Sequence, residues 1–312
     1  MSFLSELRYP TTWYAKLFTA ILSLVLFTAL ATGTISGFLL YRIVSPGHNS
    51  AEIDAQGFPG HPDVVTFDVP GVGPREGWFF PGLTSAPTIL LCHGYQSGRG
   101  ELLTLASALQ DHQYNVFLFE FGEHGSNSGY TTLGFRDTQI LRAAVNAVAR
   151  RKDVDGTRFG LWGSNVGGYA AMAVAESDPR VRAFVAESVY DQPEEMMSIL
   201  VDRSGLGNIP VMSRFTRLGF RWLNRSFRDR PPVSAGLGKL AGVPKLYMQA
   251  VDVPDLAGST RQLFIQSPEP REQIILPRGN YASMRDDEKR TYENRIVSFF
   301  LLNLPASRGS RR

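Results

Sequence analysis

The sequence predicts an α/β protein: a mostly parallel, doubly wound sheet of about eight strands with a helical cap, preceded by one transmembrane helix. Three observations predict it. Short apolar runs alternate with amphipathic stretches from residue 64 onward. A stretch of 25 residues near the N-terminus carries no charge. And a strand-like run at 158–163 leads into a glycine-rich turn and a small-residue helix start. With 312 residues, 43% of them hydrophobic and 20% charged, the chain can bury one sizeable core.

Taken in order, residues 1–16 form a short N-terminal segment, and "LFTAILSLVLFTALATGTISGFLLY" (17–41) follows between Lys16 and Arg42. About 20 apolar residues cross a bilayer, so this run is long enough with some tilt. Trp13, Tyr14 and Tyr41 lie where interfacial aromatics belong. A signal-peptidase site ending at Ala29-Leu30-Ala31 would fit the small-x-small rule, but the apolar run continues past it, so the stretch reads as an uncleaved single-pass anchor. Arg8 and Lys16 precede the span and only Arg42 closely follows it, which by the positive-inside rule puts the main domain on the extracytoplasmic side.

Residues 43–63 are polar and rich in Gly and Pro, as a linker should be. The domain proper is expected over 64–304, with candidate strands at 64–69, 77–82, 88–94, 115–121, 158–163, 181–188, 244–251 and 272–277. Helical spacing marks 101–112 and 135–151, and an acidic start with an apolar second half marks 286–304. Strands separated by helices pair in parallel, within a sheet covered on both faces. Residues 190–238 contain no strand but carry aromatics and arginines, and read as a helical cap insertion; 305–312 reads as a short basic tail.

In such a sheet, ligands sit beyond the carboxyl ends of the strands. "LLCHGYQSG" (91–98), "FLFEFGEHGSNSG" (117–129) and "FGLWGSNVGG" (159–168) fall there, in that order. Together they resemble the His-Gly turn, the Gly-His-Gly-x-Ser loop and the nucleophile elbow of the α/β-hydrolase family, a likeness running over roughly 64–304. The resemblance implies a serine hydrolase with a Ser-Asp-His triad, the acid after a late strand and the histidine after the last one.

The residues depart from that pattern where the chemistry lies. Between Gly163 and Gly167 the apex is Asn165, not serine. An amide cannot serve as the nucleophile, although Asn tolerates the left-handed backbone that the elbow demands. The five histidines, His48, His61, His93, His112 and His124, all precede the apex, so the family's base is missing; Asn280 or Tyr281 stands in its place. A phenol with pKa about 10 is a poor proton acceptor at neutral pH. For the acid, Asp252 is the expected equivalent and Asp255 its rival. Ser164 with His124, the latter beside Glu123, is the one pair that could rescue catalysis. Backbone donors do not depend on side chains, so an oxyanion pocket at Tyr95 and Val166 is expected to persist, with His93 and Gly94 bracing the turn and Gly163, Gly167 and Gly168 forming the elbow.

The expected function is therefore that of a membrane-anchored pseudohydrolase that keeps a pocket for a small acyl or hydrophobic ligand. The alternatives are an active esterase, lipase or peptidase using non-standard residues, and a structural partner in a membrane complex. No cofactor is implied, and neither a His-x-x-x-His pair nor a cysteine pair offers a metal site. The single cysteine, Cys92, lies in an apolar run and can form no intrachain disulfide. A net charge of +3 with scattered Lys and Arg argues against nucleic acid.

Overall fold

The computed structural model describes residues 12–46, 62–121, 129–279 and 281–306. Of the residues singled out in the sequence, His48, His61, Glu123, His124 and Asn280 lie outside the described residues, as do most of the 43–63 linker and the end of the tail. The chain forms two units, one of Val44–Met196 with Ser226–Arg312, the other of Met1–Ile43 with Met197–Arg225.

The larger unit is built on one eight-stranded sheet: β1 (Asp63–Val69), β2 (Gly73–Phe80), β3 (Thr88–Cys92), β4 (Asn115–Phe119), β5 (Phe159–Ser164), β6 (Val181–Glu187), β7 (Lys245–Ala250) and β8 (Arg271–Leu276). Their order across the sheet is β1-β2-β4-β3-β5-β6-β7-β8. The β1–β2 and β2–β4 pairs are antiparallel and the remaining pairs parallel. Each candidate strand read from the sequence is a strand, shifted by a few residues at its ends; β2 starts earlier than its apolar run because its first half is polar and pairs back on β1. The central strands β3 and β4 are buried at every position, which a sheet covered on both faces requires.

Helices α2 (Leu103–Asp111), α3 (Phe135–Val148) and α4 (Val166–Ala175) follow β3, β4 and β5, and α8 (Asp286–Asn303) follows β8. Pleating sorts the core. Ile89, Leu91, Val116 and Leu118 point to the face where α2 and α8 contribute Leu105, Leu109, Ile296 and Phe300, while the α3 residues Ile140, Leu141 and Val145 are equally sealed. Between β7 and β8 a short 3₁₀ turn leads into α7 (Ala257–Gln266). Its apolar periodicity is weak because only Thr260 and Leu263 are buried along it.

The smaller unit holds α1 (Trp13–Val44), most of α5 (Pro193–Arg203) and α6 (Pro210–Leu223). At 32 residues, α1 outruns the uncharged stretch at both ends. At 1.5 Å per residue it is about 48 Å long, more than the roughly 30 Å of a bilayer's hydrocarbon core. Its large apolar side chains are exposed along most of its length, Leu24, Phe27, Leu30 and Phe38 among them.

Candidate functional site

At the carboxyl end of β5 the chain turns sharply into α4 through Asn165, whose φ of 36° and ψ of −98° place it in a conformation that side-chain-bearing residues rarely adopt. Two glycines make that turn possible. A Cβ on Gly163 would lie 2.3 Å from the Gly167 carbonyl, and one on Gly167 would lie 2.2 Å from the carbonyl oxygen of Cys92. In both cases the obstruction is backbone, which cannot swing aside. The apex is pinned by its own main chain: Asn165 N donates to Glu187 O at 2.8 Å, and Tyr169 N donates to Asn165 O at 2.8 Å.

The Asn165 side chain bends toward the neighbouring turn. Its Oδ1 accepts hydrogen bonds from two main-chain amides, Val166 N at 2.7 Å and Tyr95 N at 2.7 Å. Both partners are donors, so only the oxygen of the amide can face them. Gly94 lies against the same amide; a Cβ there would come within 3.0 Å of Nδ2. In an acyl-transfer site, two backbone amides that converge in this way hold an oxyanion. Here Tyr95 N–H and Val166 N–H converge on a carbonyl oxygen supplied by the chain itself, at the N-terminus of α4.

His93 is held by backbone and by a carboxylate, its Nε2 lying 3.1 Å from Glu120 Oε2. It is 1% exposed, its Nδ1 lies 3.0 Å from Gly94 O, its Nε2 accepts from Phe121 N at 3.0 Å, and its ring packs on Phe121. It ties the turn after β3 to the end of β4. His112 is exposed at the end of α2, with Nδ1 2.8 Å from Ala108 O. Ser164 is the last residue of β5, opposite Glu187 in the β5–β6 register.

After β7, the exposed Asp252 accepts from Gly279 N at 2.8 Å, so this carboxylate joins the loop that follows β8; Asp255 sits on the adjacent 3₁₀ turn. Tyr281 is 5% exposed, with its hydroxyl 2.8 Å from Thr104 Oγ1 and hydrogen bonded to Glu293. Burial, with Glu293 beside it, pushes the phenol far above its ordinary pKa. Its hydroxyl is thus committed to α2 and α8. The structure brings together Asn165, Gly94, Tyr95 and Val166 around one oxygen, and separately links Asp252 to Gly279.

Of the buried acids not singled out in the sequence, one lies beside Gly279 of the loop after β8. Glu187 ends β6, has no exposed surface, and accepts from Tyr292 Oη, which in turn accepts from Trp162 Nε1 at 3.1 Å. Burial, then the nearby charge of Asp252, raises its carboxyl to about 8 against the pull of the Tyr292 hydrogen bond. Its Oε1 has no hydrogen-bond partner among the described residues, and a Cβ at Gly279 would sit 3.3 Å from that atom. A lone carboxylate closing the apolar run "VRAFVAE" is the only trace that it left in the sequence. A separate apolar cleft of about 810 Å³ lies between β8 and α8, lined by Ile274, Leu276, Met284 and Tyr292 among others; Asn165 does not line it.

No protein-family model matches the chain. Among proteins of similar sequence, YfhR of Escherichia coli O157:H7 is 24% identical over 237 residues, covering 72% of this chain and 76% of that one. The Mycobacterium tuberculosis protein Rv2307c is 30% identical over 143 residues, covering 45% and 50%. Among solved structures, the Pyrococcus furiosus esterase Pf2001 superposes with a TM-score of 0.64 at 16% identity, over 85% of this chain and 99% of that one. The α/β hydrolase GrgF from Penicillium sp. sh18 gives 0.55 at 19% identity, over 78% and 98%.

Proposed function

This chain has the α/β-hydrolase fold, and on that premise we propose that it is a membrane-anchored pseudohydrolase, a binding protein rather than a serine hydrolase. One observation carries the reading: the two amides at Tyr95 and Val166 are satisfied by the Asn165 side chain. A hydrolase needs that position to offer a nucleophilic oxygen and needs those amides free for the oxygen of the substrate. Asn165 supplies no ionisable hydroxyl and fills the donors. No histidine follows residue 124 to act as base from the usual place. Losing nucleophile or base alone removes about six powers of ten in rate in a serine protease.

The ligand class that fits is a small acyl or hydrophobic molecule with a carbonyl or carboxylate oxygen able to displace the Asn165 amide from Tyr95 N–H and Val166 N–H. The anchor in this reading is α1, apolar and long enough to cross a bilayer near the N-terminus, with the sheet-bearing unit on the extracytoplasmic side. The test is direct. Full-length protein in detergent is offered a fluorophosphonate probe and p-nitrophenyl esters; no covalent adduct and no turnover above the buffer rate are expected. An adduct that disappears on Ser164→Ala, or turnover at ordinary enzyme rates, would overturn the proposal.

A further inference from the structure

The smaller unit contains a helix whose burial is inside out. Along α6, the buried residues are Ser213, Thr216 and Phe220, two of them polar. The exposed ones include Val211, Phe215, Leu218 and Trp222, between 47% and 65% accessible. At 3.6 residues per turn these four fall within about 60° of one another, forming a single stripe on the side away from the buried face. A helix facing water arranges itself the other way round.

The inward face explains itself through α1. Ser36 Oγ donates to Met212 O at 3.4 Å, and Thr216 Oγ1 reaches Met212 O at 2.8 Å and Ser36 O at 3.4 Å. Leu40 lies so close that a Cβ on Gly219 would come within 2.6 Å of its Cδ2. Val211 and Phe215, farther back along α6, line an apolar cleft with Leu24, Thr28 and Gly33 of α1. The two helices therefore advance in the same direction. Ser36, which Thr216 touches, is five residues before Tyr41, so this part of α6 lies about 7 Å inside the end of the uncharged run.

We infer that α6 is a second membrane element, a helix inserted obliquely into the leaflet at the C-terminal end of α1, with Val211, Phe215, Leu218 and Trp222 in contact with lipid acyl chains. This rests on the reading of α1 as a membrane span. The occupant is lipid because the stripe is continuous with α1, whose own exposed surface is leucine and phenylalanine. Charge agrees. Arg214 and Arg221 stand exposed on the flank of the stripe, on stems long enough to carry their heads to anionic headgroups. Trp222, one turn beyond the Gly219–Leu40 contact and with the Arg225 guanidinium 5.0 Å from its ring, falls at the depth where interfacial aromatics gather.

Full-length protein in nanodiscs of phosphatidylcholine and phosphatidylglycerol tests this. Nitroxides are attached one at a time at Phe215→Cys, Leu218→Cys, Leu26→Cys in α1 and Lys152→Cys on the surface of the larger unit; Cys92 is buried, and the unsubstituted chain gives its background. Collision with oxygen against collision with a water-soluble nickel chelate reports the surroundings. The expected result is an oxygen-to-chelate ratio at Phe215 and Leu218 several-fold above that at Lys152 and similar to that at Leu26. Chelate access at Phe215 and Leu218 overturns the inference, and so does shielding from both reagents, which would mean that protein covers the stripe. A low ratio at Leu26 as well would instead refute the membrane reading of α1.

Discussion

Glu187→Gln separates what burial does to one carboxyl from everything else that titrates. In the folded chain Glu187 holds its proton up to about pH 8, whereas an unfolded glutamate releases it near 4.5. Between those values the folded state binds a proton that the unfolded state does not, so stability falls as pH rises. The contribution is fully present below pH 4.5 and lost as pH climbs through 8. At about 1.4 kcal/mol per pH unit, the loss over that window has an upper limit of about 5 kcal/mol. Gln keeps the acceptor for Tyr292 and cannot ionise.

The measurement is the melting temperature of full-length parent and Glu187→Gln proteins in detergent from pH 4.5 to 9. The difference between the two curves is what matters, because Glu176, raised to about 7 chiefly by burial, titrates equally in both. Near pH 5 the two proteins should melt within a few degrees of each other. By pH 9 the Gln variant should melt higher by on the order of 10 °C, given roughly 2–4 °C per kcal/mol for a domain of this size. Parallel curves would refute the reasoning, because they would mean that Glu187 is already ionised, and solvated, in the folded protein.

The other expectations concern the elbow and its neighbours. Asn165→Ala removes the acceptor of Tyr95 N–H and Val166 N–H at about 1 kcal/mol each and leaves a Cβ at positive φ; Asn165→Gly loses the same hydrogen bonds but not the backbone compatibility, so it should be the more stable by about 1 kcal/mol in thermal melts. Equal melting temperatures would show that the apex carries no backbone strain. Gly167→Ala should cost about 3 kcal/mol or more, seen as lost folded protein, because its Cβ meets the Cys92 and His93 carbonyls, while Gly258→Ala on α7 meets nothing within 4 Å and should be neutral or better. Tyr281→Phe should lower stability by about 1 kcal/mol through its lost bonds to Thr104 and Glu293, and leave reactivity toward fluorophosphonate as it was.

The strands were legible because a buried strand writes itself as a short apolar run bounded by turn residues, and "TILLC" and "NVFLF" are sealed at every position. The elbow was legible because Gly163 and Gly167 are dictated by backbone contacts that no other residue permits. What stayed hidden depends on distance in space. Nothing local says that the amide of Asn165 turns toward Tyr95, 70 residues earlier, or that Glu187 is dry while Asp252 is wet. The hydroxyl of Tyr281 is claimed by partners on two different helices, which a position in a loop cannot disclose. On α6, the apolar pattern alone would have put Phe215 and Trp222 inward, and only the contact with α1 reverses it.

The identity of the apex residue follows a single physical logic. A sharp strand-to-helix turn leaves amide donors pointing into one spot at a helix N-terminus, and such donors are costly when nothing accepts from them. In a hydrolase the substrate or water fills that spot. Alanine or glycine at the apex would abandon the nucleophile and leave the spot empty as well. Asparagine holds the apex at a φ of 36° outside the left-handed helical region, and its carbonyl reaches both donors at 2.7 Å. Under the proposed reading, an asparagine at the apex both lacks the hydroxyl and satisfies the amides. It also sets the condition that any ligand must meet. A neutral carbonyl would only exchange one amide oxygen for another, whereas a carboxylate forms charge-assisted bonds about twice as strong and gains from the helix end behind them. On the proposed binding reading, an anionic oxygen would therefore be favoured over an ester.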